Sequence, residues 1–455
     1  MVALAVVIVL LVVGSLIFHV ASPWYFTPIA SNWSTIDFTV DVTFWVCGIV
    51  FVAVNLFTAY CVWRFRARKD KPGQAHYEPE SKKLEIALTV FTAIGVAAML
   101  TPGLFVWGKF VTVPGEAKDF EAVGKQWHWS YRLPGKDNKL GHSEVRFMTV
   151  DNPLGVDPDD PTGKDDIIVA DPTFHLLLDQ PVQVLLRSTD VLHDFAVPQF
   201  RVKMDLVPGL VTYQWFTPTK VGTYEMLCEE LCGVGHFAMR GRMVVDNQAD
   251  YDKWLGSQAT FADTQARPVG NATAGAVNYA VCSACHGQRG EGNQLLNAPK
   301  LSGLNDWYQR RQLLNFQHGV RGAEKGDTFG PQMAPMSQTV ADPATRENVL
   351  AHIKTLPDTP APPTITGDVE HGRRLFETCQ LCHGDRGEGR WGTNAPKLAG
   401  MSDWYLIRQL EYFKAREPRG GHEGDIYGDQ MNMIANSLVG PEAINDVVAY
   451  INTLR

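Results

Sequence analysis

Two short segments of this chain place a histidine directly after a pair of cysteines, in the pattern Cys-x-x-Cys-His. The first runs from Cys282 to His286 and the second from Cys379 to His383. This spacing is typical of c-type haem attachment. Two thiols bond to the haem vinyl groups, and the adjacent imidazole becomes the proximal iron ligand. The predicted haem-binding residues are Cys282, Cys285, His286, Cys379, Cys382 and His383.

The sequence around these two motifs repeats after about residue 270. Asn297-Ala-Pro-Lys-Leu matches Asn394-Ala-Pro-Lys-Leu, and Asp306-Trp-Tyr matches Asp403-Trp-Tyr. Each copy ends in a predicted helix, and the Pro-rich segment 357–363 joins the copies as a stiff spacer. Each copy resembles a class I cytochrome c, and the pair is similar to dihaem cytochromes of the c4 kind. A zinc site would explain one Cys-x-x-Cys-His motif but not the repeat and its downstream features.

Two methionines in each repeat are candidates for the sixth iron ligand. Aligning Gly330-Pro-Gln-Met333 with Gly428-Asp-Gln-Met431 places Met333 opposite Met431. We therefore predict Met333 and Met431 as the axial ligands. Met336 and Met433 remain the alternatives.

A third cluster of metal-binding residue types precedes the repeats. Cys228, Cys232, His236 and Met239 fall within twelve residues, and His193 lies one predicted hairpin upstream. Soft sulfur with imidazole favours copper, whereas a zinc site would leave the thioether unexplained. Short β-branched and aromatic runs alternate here with Gly/Pro turns, which predicts a small β-sandwich or barrel.

Three apolar stretches near the N-terminus, residues 2–20, 42–63 and 84–107, are long enough to cross a bilayer. The connection between the second and third is basic, which predicts that it is cytoplasmic and that the later domains lie outside. Its basic residues are Arg64, Arg66, Arg68, Lys69, Lys71, Lys82 and Lys83. The first stretch is either a retained helix or a signal peptide, since Val-Ala-Ser near residue 20 resembles a cleavage site but the basic n-region is missing.

Bulk composition excludes several classes of protein. The chain has 455 residues, too many for one core, and its net charge of −8 gives no sign of nucleic-acid binding. Six of the eight cysteines fall in the three clusters. The other two, Cys47 and Cys61, lie in an apolar segment as packing residues, which argues against a disulfide framework.

Residues from about 38 to 246 resemble subunit II of haem–copper cytochrome c oxidase. The resemblance is carried by a helical hairpin followed by three motifs: Asp190-Val-Leu-His193, Val207-Pro-Gly209 and Cys228-Glu-Glu-Leu-Cys232-Gly-x-Gly-His236-x-x-Met239. It implies a cupredoxin-like domain that holds the binuclear copper centre CuA. The expected fold class is multidomain: transmembrane α-helices, an all-β cupredoxin-like barrel or sandwich, and two all-α cytochrome c domains. The expected domains are 1–22, 37–111, 112–250, 268–357 and 366–455.

The resemblance also implies the ligand set of the copper centre. Cys228 and Cys232 would bridge both coppers, and His193 and His236 would each bind one. Met239 and the backbone carbonyl of Glu230 would complete the set. The Glu230 side chain would point toward a Mg²⁺ site shared with subunit I.

Two further residues gain a role through the resemblance. Trp127 matches the family residue above CuA at which electrons enter, although His128 replaces the aromatic residue usual between Trp127 and Trp129. Glu85, at the cytoplasmic start of the third span, matches the acid at the mouth of the K proton channel. From position alone, Glu85 is either a boundary charge or a proton-uptake group.

The function implied is that of subunit II of a caa3-like, proton-pumping cytochrome c oxidase, with no oxygen chemistry in this chain alone. Electrons would pass through two c haems to CuA and on to haem a. Expected partners are subunit I (haem a and CuB), subunit III, the lipid bilayer, and either a cytochrome c or an upstream cytochrome bc1 or alternative complex III. The expected location is the bacterial inner membrane, with the copper and haem domains on the periplasmic side. The alternative is the electron-input subunit of another terminal reductase, such as a CuA-containing nitric oxide reductase.

Overall fold

Three long apolar helices form the N-terminal part of the computed structural model, which describes residues 2–22, 27–67, 73, 79–422, 424–440 and 442–454. They are α1 (Val2–Ala21), α2 (Ser34–Arg64) and α3 (Lys82–Val111). By length and composition, each of these helices could cross a membrane. The three predicted spans lie inside them, and α2 begins at Ser34, earlier than predicted. Arg68, Lys69 and Lys71 of the basic connection lie outside the described residues.

A two-sheet β domain follows the third helix. One sheet has the strand order β11-β3-β2-β1-β5-β8 and the other β4-β10-β9-β6-β7. The strands are β1 (Lys118–Lys125), β2 (His128–Leu133), β3 (Ile167–Val169), β4 (Thr173–Leu177), β5 (Val182–Ser188), β6 (His193–Val197), β7 (Val202–Leu206), β8 (Thr212–Phe216), β9 (Gly222–Leu227), β10 (Arg240–Asp246) and β11 (Ala259–Thr260). Alternate apolar residues of β5, including Val184 and Leu186, point into the core between the sheets. The first sheet continues beyond residue 250, because β11 pairs with β3.

The β domain is fixed to the membrane helices by buried contacts. The Trp33 side chain, just before α2, is almost fully buried and donates a hydrogen bond of 3.1 Å to the Trp215 carbonyl of β8. Arg201 forms an ion pair of 2.6 Å with Asp37 in the first turn of α2. These contacts hold the β domain at one end of the helical hairpin.

Two helical domains complete the chain. Helices α4 (Gln248–Gly256) and α5 (Phe261–Gln265) lead from the β domain. The first helical domain contains α6 (Ala272–His286), α7 (Asp306–Gln317), α8 (Gly330–Gln338) and α9 (Pro343–Thr355). The second contains α10 (Val369–His383), α11 (Asp403–Ala415), α12 (Ile426–Ala435) and α13 (Ala443–Ile451).

The first and last helices of each domain cross at a glycine. A Cβ on Gly275 of α6 would lie 1.9 Å from the Asn348 carbonyl of α9, and a Cβ on Gly372 of α10 would lie 1.9 Å from the Asp446 carbonyl of α13. Only glycine permits so close an approach of two helix backbones. The repeat in the sequence therefore gives the same helix crossing twice. The exact domain boundaries remain predictions.

Candidate functional site

The candidate copper site lies at one end of the β domain, where two strands bring separate chain segments together. His193 is the first residue of β6, and Cys228 directly follows β9. The loop from β9 to β10 carries the other residues and ends at Met239. Ligand atoms of His193, Cys228 and Cys232 all lie within 4.8 Å of one another, and all three residues are buried. The structure therefore assembles the predicted set from distant parts of the sequence.

Sulfur atoms form the centre of this cluster. Cys228 Sγ lies 3.7 Å from Cys232 Sγ and 3.9 Å from His193 Nδ1. Cys232 Sγ lies 3.6 Å from His236 Nδ1 and 3.9 Å from Met239 Sδ. Each imidazole thus approaches a different thiol. Two thiols, two imidazoles and a thioether converging in this way fit copper better than zinc.

The surroundings of the cluster orient its members. His193 Nε2 lies 2.8 Å from the Asp190 carboxylate, which leaves Nδ1 directed at Cys228. Burial opposes the charge of His193, but its hydrogen bonds to Asp190 and Cys228 raise its pKa overall. The hydrogen bond between the two thiols lowers the pKa of Cys228 to about 3 and raises that of Cys232. The thiol of Cys228 also lies 3.2 Å from the Glu230 carbonyl, so that carbonyl faces the cluster as predicted for a ligand.

Trp127 packs against the loop that carries the candidate ligands. Its indole Nε1 donates a hydrogen bond of 3.2 Å to the Cys232 carbonyl. A Cβ on Gly235 would lie 2.4 Å from the Trp127 ring, so the loop needs glycine there to accept the indole. The neighbouring His128 is buried and lies 2.9 Å from the Ala170 carbonyl through Nε2. Burial lowers the pKa of His128 to about 3, which keeps the ring neutral at physiological pH.

The two haem-attachment motifs occupy equivalent places at the ends of α6 and α10. His286 Nδ1 lies 2.7 Å from the Pro299 carbonyl, and His383 Nδ1 lies 2.7 Å from the Pro396 carbonyl. A ring that donates from Nδ1 to a carbonyl has Nε2 free to bind iron. Burial lowers the pKa of both histidines, which favours the neutral, ligating form. The residues therefore fit a c-type haem in each domain.

Sequence reasoning did not identify the two proline carbonyls that orient these rings. The signal was present, because both prolines lie in the repeated segment Asn-Ala-Pro-Lys-Leu. Three of the four candidate methionines, all but Met433, line one cavity of about 360 Å³ that contains both attachment motifs. Met333 and Met336 line it in the first domain, and Met431 lines it in the second. The assignment of Met333 and Met431 as iron ligands remains a prediction.

Glu85 lies apart from these sites. It is exposed in the first turn of α3, at the opposite end of that helix from the β domain. Glu230 is half-buried beside the copper ligands. The structure gives the positions of these two acids, and their roles remain predictions.

Comparison with known proteins identifies the β domain and the two helical domains. The family described as cytochrome c oxidase subunit II, periplasmic domain, matches residues 119–247. The cytochrome c family matches residues 272–357 and 369–455. These matches confirm the predicted fold class, with a cupredoxin-like region followed by two helical cytochrome c domains.

Several individual proteins are similar to parts of the chain. Among solved structures, the periplasmic domain of oxidase subunit II from Bradyrhizobium japonicum is 26% identical and covers 32% of this chain and 96% of its own, with a TM-score of 0.23. Cytochrome c4 from Pseudomonas stutzeri is 24% identical and covers 41% of this chain and 100% of its own, with a TM-score of 0.33. Cytochrome c oxidase subunit 2 of Thermostichus vulcanus is 42% identical over 182 residues, which are 40% of this chain and 46% of the relative.

A relative from Bradyrhizobium diazoefficiens, described as alternative cytochrome c oxidase subunit 2, is 53% identical over 265 residues. The aligned region is 58% of this chain and 95% of the relative, so almost the whole relative is matched. Together with the domain matches, this similarity confirms the resemblance drawn from the copper-ligand motifs: the chain belongs to the cytochrome c oxidase subunit 2 family and carries two cytochrome c domains.

Proposed function

We propose that this chain is the electron-accepting subunit of a caa3-like haem–copper oxidase, which carries electrons from two c-type haem domains to a binuclear copper site and on to haem a of subunit I. The observation that carries the proposal is the sulfur-centred cluster, in which each of two adjacent thiols faces its own imidazole. Cys228 and Cys232 would together hold the copper pair, and His193 and His236 would each hold one metal. Membership of the family implies CuA, haem c, subunit I as a partner and a role in an oxidoreductase complex.

The protein's role in this function is to keep the metal ligands in a fixed geometry. Cys228, Cys232, His193, His236 and Met239 would bind the copper pair, with the Glu230 carbonyl as the sixth ligand. When bound, the copper pair would supply one-electron storage that is shared between both metals. His193 is fixed by Asp190 and by its place at the start of β6. A ligand frame built on paired strands changes little between redox states, which favours fast electron transfer.

The haem domains use the same principle. Cys282 and Cys285, and likewise Cys379 and Cys382, would bond one haem each. His286 and His383 would bind iron on one side, each oriented by a proline carbonyl. Met333 and Met431 would bind on the other side.

Several finer assignments belong to this proposal. The three apolar helices and the periplasmic-domain match indicate a membrane-anchored protein with its redox domains in the periplasm. We place it in the bacterial inner membrane with subunits I and III, with a cytochrome c, cytochrome bc1 or alternative complex III as the donor. Glu85 would take up protons for the pump, and Glu230 would share a Mg²⁺ site with subunit I.

The test of the proposal is Cys228→Ser in the purified complex. Losing one bridging thiolate should abolish the mixed-valence copper EPR signal, while covalent haem per chain stays the same. Cys47→Ser is the matched control, since Cys47 is exposed on the membrane helix α2 and should leave the signal unchanged. A seven-line copper signal that persists in Cys228→Ser would contradict the assignment. Haem a in the purified complex, together with oxygen reduction, would separate an oxidase from a nitric oxide reductase.

A further inference from the structure

The two haem domains pack against each other with reciprocal contacts. Arg311 donates hydrogen bonds to Asn394 of the second domain, and its counterpart Arg408 donates one of 2.5 Å to Asn297 of the first. Each arginine also lies 4.2 Å from the centre of an aromatic ring of the other domain, Tyr427 for Arg311 and Phe329 for Arg408. Phe329 and Tyr427 occupy equivalent places, directly before Gly330 and Gly428. The pair is therefore nearly symmetric.

This symmetry ends where the second domain meets the copper domain. The Tyr427 hydroxyl lies 3.4 Å from His128 Nε2, and the two rings are 5.2 Å apart. The Gln430 side chain donates a hydrogen bond to the Trp127 carbonyl. Lys125 Nζ lies 5.3 Å from the centre of the Trp391 ring.

In the first domain, the residues equivalent to Tyr427, Gln430 and Trp391 are Phe329, Gln332 and Gln294. They lack the corresponding groups or contacts. Phe329 has no hydroxyl, while Gln332 and Gln294 are exposed. Among the described residues, the side chains of Gln332 and Gln294 make no hydrogen bond to the copper domain. At each of these three aligned positions, the residue of the second domain contacts the β domain and the described residue of the first does not.

The attachment cysteines show the same asymmetry. Cys382 is half-buried and packs against the apolar core of the copper domain, whereas the equivalent Cys285 is exposed. The cavity that contains both attachment motifs also reaches Trp127 and Gly235 of the copper domain. The attachment motif of the second domain thus packs against the copper domain, whereas Cys285 of the first is exposed.

A short chain of bonds links the second haem site to the copper ligands. Met431, the candidate iron ligand, directly follows Gln430 in the sequence. Gln430 is hydrogen-bonded to the carbonyl of Trp127, and the indole of Trp127 is hydrogen-bonded to the carbonyl of Cys232. Two hydrogen bonds therefore separate the backbone beside an iron ligand from a copper ligand.

We propose that the two haem domains act in a fixed order. The first, residues 272–357, receives electrons from an external one-electron donor protein, and the second, residues 369–455, delivers them to the copper domain through Gln430 and Trp127. This inference rests on the proposed function. In each step one electron moves: the first domain is oxidised as the second is reduced, and the second is oxidised as the copper domain is reduced. No covalent bond or proton changes place in either step.

The test compares Gln430→Ala with Gln332→Ala in the intact oxidase complex. Both glutamines precede a candidate iron ligand, but only Gln430 contacts the copper domain. After flash photoreduction of haem c, the near-infrared copper band reports the rate of transfer to the copper domain. Gln430→Ala should lower the fraction of docked second domain, and with it this rate, about fivefold, since one hydrogen bond is lost. Gln332→Ala should leave the rate unchanged.

A second readout is independent of electron transfer. Hydrogen–deuterium exchange at residues 127–128 should rise in Gln430→Ala and stay at the parent level in Gln332→Ala. The double variant Gln430→Ala/Trp391→Ala should slow transfer further, and Gln332→Ala/Gln294→Ala is its control. Covalent haem content checks that each variant folds.

The outcomes separate the order of the haems from the function itself. A parent complex without any haem-to-copper transfer would contradict the proposed function. If the parent transfers electrons and Gln332→Ala slows this transfer as much as Gln430→Ala does, the proposed order of the two domains is wrong. Transfer at the parent rate in Gln430→Ala/Trp391→Ala would overturn it as well.

Discussion

The first haem domain, residues 272–357, and the second, residues 369–455, begin alike: Asn271 and Asp368 cap helices α6 and α10 with their side chains. They differ in their surroundings, because the second is seated on the copper domain through Tyr427, Gln430 and Trp391, and no such contact is made at the equivalent described residues of the first. The residues that the two domains share would bind a haem, and the residues in which they differ determine where that haem lies relative to the copper domain. Two copies of one scaffold have thus acquired different positions in a sequence of electron transfers through a few surface residues.

A buried arginine in each domain shows a second difference. Arg419 forms an ion pair of 3.2 Å with Asp425, and both side chains are about 5% exposed or less. The equivalent Arg321 instead donates to neutral groups, the Gln312 side chain and the Tyr405 hydroxyl. The second domain therefore contains a buried charge pair where the first has a network of neutral acceptors that reaches across to its neighbour.

The largest expected effect comes from removing one haem at a time. Cys379→Ala/Cys382→Ala should leave one covalent haem per chain and abolish photoinduced reduction of the copper domain, because the attachment motif that packs against that domain is the one removed. Cys282→Ala/Cys285→Ala should also leave one haem but retain fast reduction of the copper domain. Haem staining gives the content, and flash photolysis gives the rate. If the copper domain is reduced in Cys379→Ala/Cys382→Ala and not in Cys282→Ala/Cys285→Ala, the first domain is the one that delivers electrons to it.

The next effect concerns stability. Arg419→Leu leaves the Asp425 carboxylate buried without its partner, which costs about 3–5 kcal/mol. Arg321→Leu removes hydrogen bonds to neutral groups, at about 1–3 kcal/mol. Native-state hydrogen exchange of α11 and α7 amides measures the two losses separately. Equal losses of stability would show that the ion pair contributes no extra stability to the second domain.

Acidification should alter the same ion pair in a predictable direction. Burial opposes ionisation of Asp425, but Arg419 holds its pKa below the ordinary value. A lowered folded-state pKa stabilises the fold above the ordinary pKa, and this stabilisation is lost as pH falls through the folded value. The buried carboxyl that has lost its partner in Arg419→Leu takes up a proton at a higher pH than in the parent, so the difference in stability between the two proteins should shrink as pH falls.

A smaller effect is expected at the junction between the second domain and the copper domain. Burial, with Lys125 and Arg311 nearby, lowers the pKa of His128 to about 3. Below an ordinary pKa of about 6.5 the unfolded chain takes up a proton that the folded chain does not. The free energy of unfolding therefore decreases as the pH is lowered. The copper domain should lose about 2 kcal/mol between pH 8 and pH 5. His128→Phe should remove this part of the pH dependence, and denaturant unfolding of the two proteins across that range measures it.

The sequence predicted the sites better than it predicted their arrangement. The spacing from Cys228 to Met239 and the two Cys-x-x-Cys-His motifs constrain ligands within single loops, so local pattern was sufficient. His193 lies on another strand and was placed by the resemblance to the oxidase family. The docking of the second domain was not predicted, because contacts such as Gln430 with Trp127 join residues about 300 positions apart. The local signals were the changes from Phe329 to Tyr427 and from Gln294 to Trp391 between otherwise similar repeats.

That change gives the smallest expected effect and the sharpest comparison. Tyr427→Phe makes the second domain resemble the first, and it removes a hydroxyl 3.4 Å from His128, a long contact that is worth little. Transfer to the copper domain should slow about twofold, since about 0.5 kcal/mol is the low end for one hydrogen bond. Phe329→Tyr adds a hydroxyl to a ring that packs on Arg408 of the second haem domain, and it should change nothing in the flash-photolysis rate. A slower rate in Phe329→Tyr alone would mean that the first domain, and not the second, is the one that meets the copper domain during turnover.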